Sequence, residues 1–320
     1  MEKKIGVLLI NVGTPDAPTE EAVFRFLAEF LNDPHVVDYP AWLWKPILNR
    51  IILRTRPKKS AHNYTKIWQD DGSPLLSITQ SIADKLGETD PDWQITIGMR
   101  YGNPSIGDGL NKLQDHGATD LVVLPLYPQF SSSTSLTSID RTRQVLGAMP
   151  GFDRVTIIED YHDHPAYIAA LAGSIQQAWT RYGKPEKTLF SFHGVPRRYV
   201  TKKGEPYQEQ CLGTYRLLTQ EVNLRDDEIV LGFQSRFGPE PWLQPYTNRV
   251  LSALGAEGCQ SLHVICPGFV ADCLETLEEI AIQGKKIFQE AGGGNFHYIP
   301  ALNDSEKHIK ALRKIIQDAL

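Results

Sequence analysis

The sequence has few cysteines, no long hydrophobic run and no excess of positive charge. Four cysteines occur among its 320 residues and none are spaced as C-x-x-C, which excludes a disulfide-stabilised scaffold and the common zinc knuckles and favours a reducing cytoplasm. The net charge of −5 excludes a generally basic nucleic-acid-binding protein. Prolines and serines interrupt the longest uncharged stretch, residues 121–139, so no membrane-spanning helix is predicted.

Several common cofactor and catalytic signatures are also missing. No G-x-G-x-x-G fingerprint follows a candidate strand, and none of the motifs G-x-x-x-x-G-K-[ST], G-x-S-x-G and H-E-x-x-H occurs. These motifs normally mark dinucleotide, phosphate, serine-hydrolase and zinc-protease sites. The sequence therefore offers no support for a nicotinamide enzyme, a phosphate-transferring ATPase or a serine hydrolase of the common fold.

Short apolar segments of strand length alternate with longer amphipathic segments along the chain. Most of the short segments are apolar on both faces, which is typical of central strands in a helix-covered parallel sheet. The pattern predicts a doubly wound α/β fold. The strand candidates are residues 5–10, 94–99, 120–125, 154–159, 187–193, 228–234 and 261–266.

The chain length suits about two domains. Residues 1–140 form the predicted first domain, and a C-terminal helix over residues 305–320 packs back on it. Residues 141–304 form the predicted second domain, with the boundary placed between residues 130 and 160. Because ligands of open parallel sheets bind beyond the carboxyl ends of the strands, functional residues are expected directly after the strands.

His193 ends the apolar strand over residues 187–193 and is followed by Gly194. A histidine at this place points into the ligand crevice and titrates near neutral pH, which suits a general base or a neutral imidazole ligand to a metal. A histidine whose hydrogen bonds are simply satisfied at a strand end is the alternative. The residue alone does not decide between these interpretations.

Acidic residues begin the helix that follows the strand over residues 261–266. Glu275 and Glu279 are four residues apart and share a face, so their carboxylates could guide a divalent cation or pass protons outward. Asp272 and Glu275 also have the spacing of an N-cap residue and its capping-box partner. On spacing alone, the helix cap is the favoured interpretation.

Residues 39–68 combine aromatic and aliphatic residues with arginines and lysines. Trp42, Trp44 and Ile51 are interleaved with basic residues such as Arg50 and Arg54. Such a segment suits a flat apolar ligand that carries carboxylates, or contact with an anionic membrane surface. A helix with a solvated basic face is the alternative.

Three long motifs resemble the signature blocks of ferrochelatases. They are FSFHGVP at residues 190–196, FQSRFGPEPWLQPY at 233–246 and CPGFVADCLETLEE at 266–279. Shorter matches are LINVGTP at 9–15, GSPL at 72–75, MRY at 99–101 and LYPQF at 126–130. The resemblance extends from residue 5 to about residue 303 in the expected order, and it is strongest to the soluble bacterial type that makes protohaem.

The resemblance implies two similar Rossmann-like halves with a porphyrin cleft between them, and insertion of ferrous iron into protoporphyrin IX. It implies that His193 and Glu275 form the metal site and that Glu279 belongs to an accessory acidic path, so Glu275 does more than cap a helix. Residues 39–68 match the lip of the cleft. The positions that match porphyrin-binding residues are Met99, Arg100, Tyr101, Tyr127, Trp242, Phe269 and, in the lip, Arg54.

Two departures from the family pattern bear on these expectations. Many relatives have histidine where Cys273 stands, so an accessory role at that position does not carry over. The chain ends at Leu320, without the cysteine-bearing extension that binds an iron–sulfur cluster in some relatives. We therefore expect no cluster and no tightly bound cofactor, with Fe²⁺ as a substrate.

Two other functions remain open from the sequence. One is chelation of another tetrapyrrole, coproporphyrin or sirohydrochlorin, although extra propionates would call for more basic residues than the single basic lip provides. The other is a carrier that binds porphyrin or haem without turnover. We expect a cytoplasmic protein with no nucleic-acid partner and, through the lip, transient peripheral contact with the inner membrane. The oligomeric state is not indicated.

Overall fold

The strands of the described residues form two four-stranded parallel sheets, one in each of two units of the chain. The computed structural model describes residues 4–149 and 151–320. The first unit comprises the chain up to Asp160 together with Ile316–Leu320, and the second comprises Tyr161–Ile315.

The first unit has the sheet order β2-β1-β3-β4. Its strands are β1 (Ile5–Gly13), β2 (Trp93–Tyr101), β3 (Asp120–Pro125) and β4 (Arg154–Ile157). Its helices are α1 (Glu20–Asn32), α2 (Ala41–Ile47), α3 (Leu53–Thr65), α4 (Pro74–Thr89), α5 (Ile106–Asp115) and α6 (Thr137–Leu146). π-Helical turns over Leu48–Ile52 and Ser132–Leu136 lead into α3 and α6.

β1 is the central strand of this unit because its apolar residues are buried on both faces. Leu8 and Ile10 pack with Leu110 of α5 and Val123 of β3. Gly13 ends the strand with a φ of +102°, and a Cβ atom there would lie 1.8 Å from the carbonyl oxygen of Tyr101. Only glycine therefore allows the ends of β1 and β2 to approach this closely.

The second unit repeats the arrangement with the sheet order β6-β5-β7-β8. Its strands are β5 (Lys187–His193), β6 (Ile229–Gln234), β7 (Ser261–Ile265) and β8 (Asn295–Ile299). Its α-helices are α7 (Pro165–Tyr182), α8 (Arg197–Thr201), α9 (Tyr207–Glu221), α10 (Thr247–Ala256), α11 (Lys285–Glu290) and α12 (Glu306–Ala319). A longer π-helical segment, Leu274–Gly284, precedes α11.

The core of the second unit lies between this sheet and the helices that follow β6 and β7. Leu189 of β5 and Val264 of β7 pack with Leu251 of α10, Ile280 of the π-helical segment and Phe288 of α11. All five side chains are almost fully buried. This packing holds the π-helical segment against the carboxyl-end half of the sheet, next to the residues that follow β5 and β6.

The predicted α/β architecture with parallel sheets is confirmed, and the seven predicted strands correspond to β1–β7. β8 was missed because His297 and Asn295 break the apolar pattern of this edge strand. The final helix was assigned whole to the first domain, whereas only Ile316–Leu320 group with the first unit. Its beginning belongs to the second unit, where the Lys307 side chain lies against Gly173 of α7.

None of the described helices could cross a bilayer, because each is too short or too polar.

Candidate functional site

His193 is the last residue of β5, and its ring orientation is set by its own backbone neighbour. Nδ1 lies 2.5 Å from the carbonyl oxygen of Gly194. Because a carbonyl only accepts hydrogen bonds, Nδ1 carries the proton and Nε2 of the neutral ring keeps its lone pair. The hydroxyl of Tyr207 donates to the His193 carbonyl at 2.8 Å and anchors the strand end. The imidazole is therefore prepared to accept a proton or a metal at Nε2.

Two half-buried aromatic side chains flank this imidazole. The ring centroids of Trp242 and Phe269 lie 6.4 Å and 6.2 Å from that of His193. A Cβ atom on Gly194 would meet the Trp242 ring at 3.1 Å and the Gln234 carbonyl at 2.8 Å. Glycine at 194 thus lets the indole lie against the backbone beside the imidazole. The result is an apolar wall suited to a flat aromatic ligand.

Glu279 of the π-helical segment lies in one electrostatic cluster with His193 and Glu275. Its Oε1 accepts the backbone N–H of Ser235 at 2.7 Å, and its Oε2 accepts the Ser235 hydroxyl at 2.6 Å. Burial raises the pKa of Glu279 against these hydrogen bonds, while His193 lowers it when its ring is protonated and the charge of Glu275 raises it. Glu279, predicted to belong to an accessory acidic path, is thus electrostatically coupled to both predicted metal-site residues.

A buried polar network, which was not predicted from the sequence, holds the backbone of Glu275 in place. Gln234 Nε2 donates to the Glu275 carbonyl at 2.8 Å, and Gln234 Oε1 accepts from the Ser191 hydroxyl at 2.7 Å. Thr247 Oγ1 lies 2.8 Å from the same hydroxyl. The sequence contained one sign of this network: two polar residues in otherwise apolar strands, Ser191 within β5 and Gln234 at the end of β6. A buried polar side chain needs a hydrogen-bond partner. Here the hydrogen bonds lead from Ser191 through Gln234 to the backbone of Glu275.

The predicted capping box of Asp272 and Glu275 is wrong. The residue that caps the π-helical segment is Cys273, whose N–H donates to Thr276 Oγ1 at 3.0 Å. Asp272 is buried and accepts hydrogen bonds from Thr276 Oγ1 at 2.9 Å and the Tyr298 hydroxyl at 2.6 Å. Asp272 therefore serves this separate network rather than the cap.

Cys273 is a buried thiol directly beside the acidic residues. Burial first, and then the charge and hydrogen bonding of Glu275, raise the pKa of Cys273 well above its ordinary value. The thiolate, not the thiol, is the form that binds metal ions. Cys273 is therefore a protonated packing and capping residue in this site at neutral pH.

In the first unit, Arg100 is paired with a buried carboxylate. Its guanidinium bonds Asp33 and donates to Thr137 Oγ1 at 2.7 Å. Tyr101 also donates to Asp33, at 2.8 Å. Burial of Asp33 opposes ionisation, yet hydrogen bonds from Thr137, the His35 backbone and Tyr101 and the charge of Arg100 hold its pKa below the usual value. Arg100 therefore balances a local charge.

The remaining porphyrin-binding candidates of the first unit differ in accessibility. Met99 and Tyr101 are each only 1% exposed, so both side chains are packed largely beneath the surface. Their contact with a porphyrin stays a prediction. Tyr127 follows β3 and is half-buried, and Arg54 of α3 is exposed. Both can be reached by a ligand of this unit.

Comparison with known proteins gives one consistent family. Residues 4–320 match the family model of ferrochelatase. A ferrochelatase of Yersinia enterocolitica is 46% identical over 319 residues, covering 100% of this chain and 99% of that protein. Ferrochelatases of Vibrio cholerae and Shewanella oneidensis are 47% and 49% identical, covering 98% of this chain and 98% and 95% of theirs.

Solved structures show the same architecture at much lower sequence identity. SirB from Bacillus subtilis, solved with Fe³⁺, has a TM-score of 0.60 at 11% identity and covers 99% of this chain and 95% of its own. CbiX, the terminal enzyme of sirohaem biosynthesis in denitrifying bacteria, has a TM-score of 0.53 at 12% identity, covering 99% and 100%. At these identities the likeness concerns the fold alone.

Proposed function

The chain belongs to the ferrochelatase family, and from this premise we propose that His193 and Glu275 form the site at which it inserts iron. The protein is a metal chelatase that inserts ferrous iron into a porphyrin for haem synthesis. We propose protoporphyrin IX as that porphyrin. We propose the roles of the individual residues from their contacts in the site.

The observation that supports this site most is the hydrogen bond of His193 Nδ1 to the Gly194 carbonyl, which leaves Nε2 of the neutral ring free for a ligand. Glu279 feels both Glu275 and the protonated form of His193, which indicates that the two carboxylates lie near this ring. One neutral imidazole and one carboxylate form a small ligand set that suits ferrous iron and leaves coordination positions open for water or pyrrole nitrogen. Iron held this weakly can pass downhill to the four nitrogens of a porphyrin.

The barrier to insertion comes from the planarity and the protons of the macrocycle. Contacts around the periphery of the ring can bend it so that its nitrogens become accessible. The half-buried Trp242 and Phe269 beside His193 supply an apolar surface for such contacts. His193 Nε2 then takes a pyrrole proton as iron leaves it and Glu275 for the ring. No electron is transferred in this sequence.

The cations of the first unit that can bind a porphyrin carboxylate lie in the lip. Arg100 is neutralised by Asp33, so it is not a spare cation for propionate binding. The exposed cations of the lip are Lys45, Arg50, Arg54, Lys58, Lys59 and Lys66. They suit the two propionates of protoporphyrin IX.

The direct test is anaerobic incubation of the protein with Fe²⁺ and protoporphyrin IX, followed by the absorbance change of metal insertion. Coproporphyrin is assayed in parallel. We expect rapid multiple turnovers with protoporphyrin IX and slower ones with coproporphyrin. Tight binding without turnover would identify a carrier, and the opposite order of substrates would refute the assignment of protoporphyrin IX.

Glu275→Gln should impair insertion more than Glu279→Gln. We expect kcat to fall about 100-fold for the first and less than about tenfold for the second. Glu279 is held by Ser235, and glutamine can keep both contacts by accepting the N–H and donating to the hydroxyl. Steady-state kinetics of the two variants check this order. A larger loss for Glu279→Gln would move the metal site one turn along the helix.

We also propose that the lip, residues 39–68, contacts anionic membranes. Trp42 is 78% exposed and Ile51 is 57% exposed, although both are large apolar side chains. Trp44 anchors the segment from below, since its Nε1 donates to the Leu31 carbonyl at 2.7 Å. Exposed apolar residues beside exposed cations are the combination that favours peripheral binding to an anionic bilayer.

Charge reversal tests this contact. We expect the protein to float with liposomes that contain anionic lipid at low salt, and expect Arg50→Glu/Arg54→Glu to remain in the soluble fraction, since each juxtamembrane cation contributes about 1 kcal/mol. Lys85→Glu/Lys112→Glu, which reverses exposed cations of α4 and α5, is the matched control and should float normally. Binding that is insensitive to salt and to the Arg50 and Arg54 changes would exclude the proposed contact.

We also propose that the protein has no resident cofactor. The four cysteines are buried and unpaired by disulfides, and burial raises the pKa values of Cys211, Cys266 and Cys273. Thiols that resist ionisation are poor cluster ligands. Elemental analysis of protein purified without air should give no stoichiometric sulfide.

A further inference from the structure

A cavity of about 510 Å³ opens on the outer side of Glu279 in the second unit. It is bordered by the chain that follows β6, by the first turn of α10 and by the π-helical segment. This volume is within the range of cavities that bind small molecules. The polar side chains that line it include Ser235, Arg236, Asn248, Arg249, Glu279 and Gln283. His193 and Glu275 do not line it, so Glu279 links the cavity to the metal site.

Two arginines of this cavity have no carboxylate partner among the described residues. Arg236 and Arg249 are both exposed, and their guanidinium carbons lie 4.9 Å and 5.3 Å from the ring centroid of Tyr246. Stacking on a tyrosine restrains a guanidinium without neutralising it, and leaves its N–H fork available to a planar oxyanion. The pair therefore forms a cationic rim for which residues 4–149 and 151–320 supply no carboxylate partner.

The exposed and the half-buried linings of the cavity carry opposite charges. The arginines lie at the exposed mouth, and the half-buried Glu279 lies at the base, held by Ser235. A bare ferrous ion would be repelled at the mouth, and a bare anion would be repelled at the base. A metal ion wrapped by a small anion meets both conditions, because its free carboxylates face the arginines while the metal faces Glu279.

We propose that this cavity receives ferrous iron as a complex with a small polycarboxylate, of which citrate is the simplest representative. This inference rests on the proposed function, since it supplies the metal for the His193–Glu275 site. Iron stays ferrous throughout. Its bonds to polycarboxylate oxygens break as bonds to the Glu279 and Glu275 carboxylates form, and the polycarboxylate leaves as the free anion past Arg236 and Arg249.

The test compares two forms of iron in the same insertion assay. Fe²⁺ is supplied without air as the aquo ion or with equimolar citrate, and KM for total iron is measured in each case with protoporphyrin IX. For the native protein we expect a KM with citrate no higher than that for the aquo ion. In Arg236→Gln/Arg249→Gln, the KM with citrate divided by the KM for the aquo ion should rise about tenfold.

A matched variant and a second anion complete the design. Arg181→Gln/Arg216→Gln removes two exposed arginines of α7 and α9 that do not line the cavity, and it should keep the native ratio. Equal changes of KM for both forms in Arg236→Gln/Arg249→Gln would overturn the proposal, as would a KM that citrate raises in the native protein. A lower KM with inorganic phosphate but not with citrate would overturn the polycarboxylate assignment.

Failure of this proposal can be told apart from failure of the metal site. If His193 and Glu275 do not act on iron, their variants keep activity with the aquo ion, whatever citrate does. If only the cavity proposal fails, the His193 and Glu275 variants lose activity with both forms of iron. The ratio of the two KM values is then the same in Arg236→Gln/Arg249→Gln as in the native protein.

Discussion

Replacing His193 by alanine should lower the rate of iron insertion about 1,000-fold, because the change removes both the proposed proton acceptor and a proposed metal ligand. The loss should appear mainly in kcat, since porphyrin contacts with Trp242 and Phe269 persist. His193→Asn separates position from chemistry. Its amide can still donate to the Gly194 carbonyl, but it offers no basic nitrogen. Stopped-flow absorbance with Fe²⁺ and protoporphyrin IX measures both variants.

His116→Ala is the matched control for this experiment. His116 is exposed at the end of α5, so its removal should leave insertion at the native rate. Added imidazole should restore part of the activity of His193→Ala and none of that of Glu275→Gln. Near-native insertion by His193→Ala would show that the proton and the metal are handled elsewhere.

Acidification should unfold the protein well before its carboxylates are neutralised, because two buried histidines must become charged. Burial and the neighbouring His297 lower the pKa of His263 to about 4, and burial lowers that of His308 to about 4. Neither ring nitrogen of His263, nor Nε2 of His308, has a hydrogen-bond partner among the described residues. A proton on either ring is therefore poorly compensated in the folded state.

The direction of the effect follows from where the protons bind. In the unfolded chain both histidines take up a proton near pH 6.5, whereas in the folded protein they do so only near pH 4. Stability is complete above about pH 6.5 and falls as the pH drops towards 4. Each histidine accounts for a loss on the order of 3 kcal/mol across that interval. Urea unfolding at pH 7, 6 and 5 measures the slope.

Variants without a titrating ring test the assignment. His263→Phe and His308→Asn should each flatten the pH dependence of the unfolding free energy, whatever their stability at pH 7. Asparagine at 308 can still donate to the Asn303 carbonyl that now accepts from the histidine. His116→Gln should leave the slope unchanged. An unaltered slope in both buried variants would assign the acid sensitivity to other groups.

The sheets were predictable because most of their strands, such as β3 and β5, are buried on both faces and therefore read as continuous apolar runs. β8 was not, since it lies at an edge and carries His297 and Asn295. The π-helical segment Leu274–Gly284 was not predicted either, because an extra residue per hydrogen-bonded turn leaves no mark in the apolar pattern. The predicted proximity of Glu275 and Glu279 does not depend on this difference, since residues four apart stay close on either kind of helix.

The partners of the site residues were beyond sequence reasoning because they are distant along the chain. Asp33 is 67 residues from Arg100, and Gln234 is 41 residues from Glu275. Nothing local to Arg100 distinguishes a cation that awaits a propionate from one that neutralises a buried acid. Likewise, Asp272 and Glu275 have the spacing of a helix cap. Only the contacts of Asp272 with Tyr298 and Thr276 reveal that it is used elsewhere.

The hydrogen bond between His193 Nδ1 and the Gly194 carbonyl limits how many protons the site can store. A free-base porphyrin releases two protons for every iron atom it receives, yet this imidazole has room for only one, at Nε2. In the mechanism we propose, each catalytic cycle must therefore empty the histidine once before the ring is fully metallated, or send the second proton to a different acceptor. A solvent isotope effect measured in mixtures of light and heavy water should accordingly depend on isotope fraction in a curved manner, as expected for two transfers in one turnover.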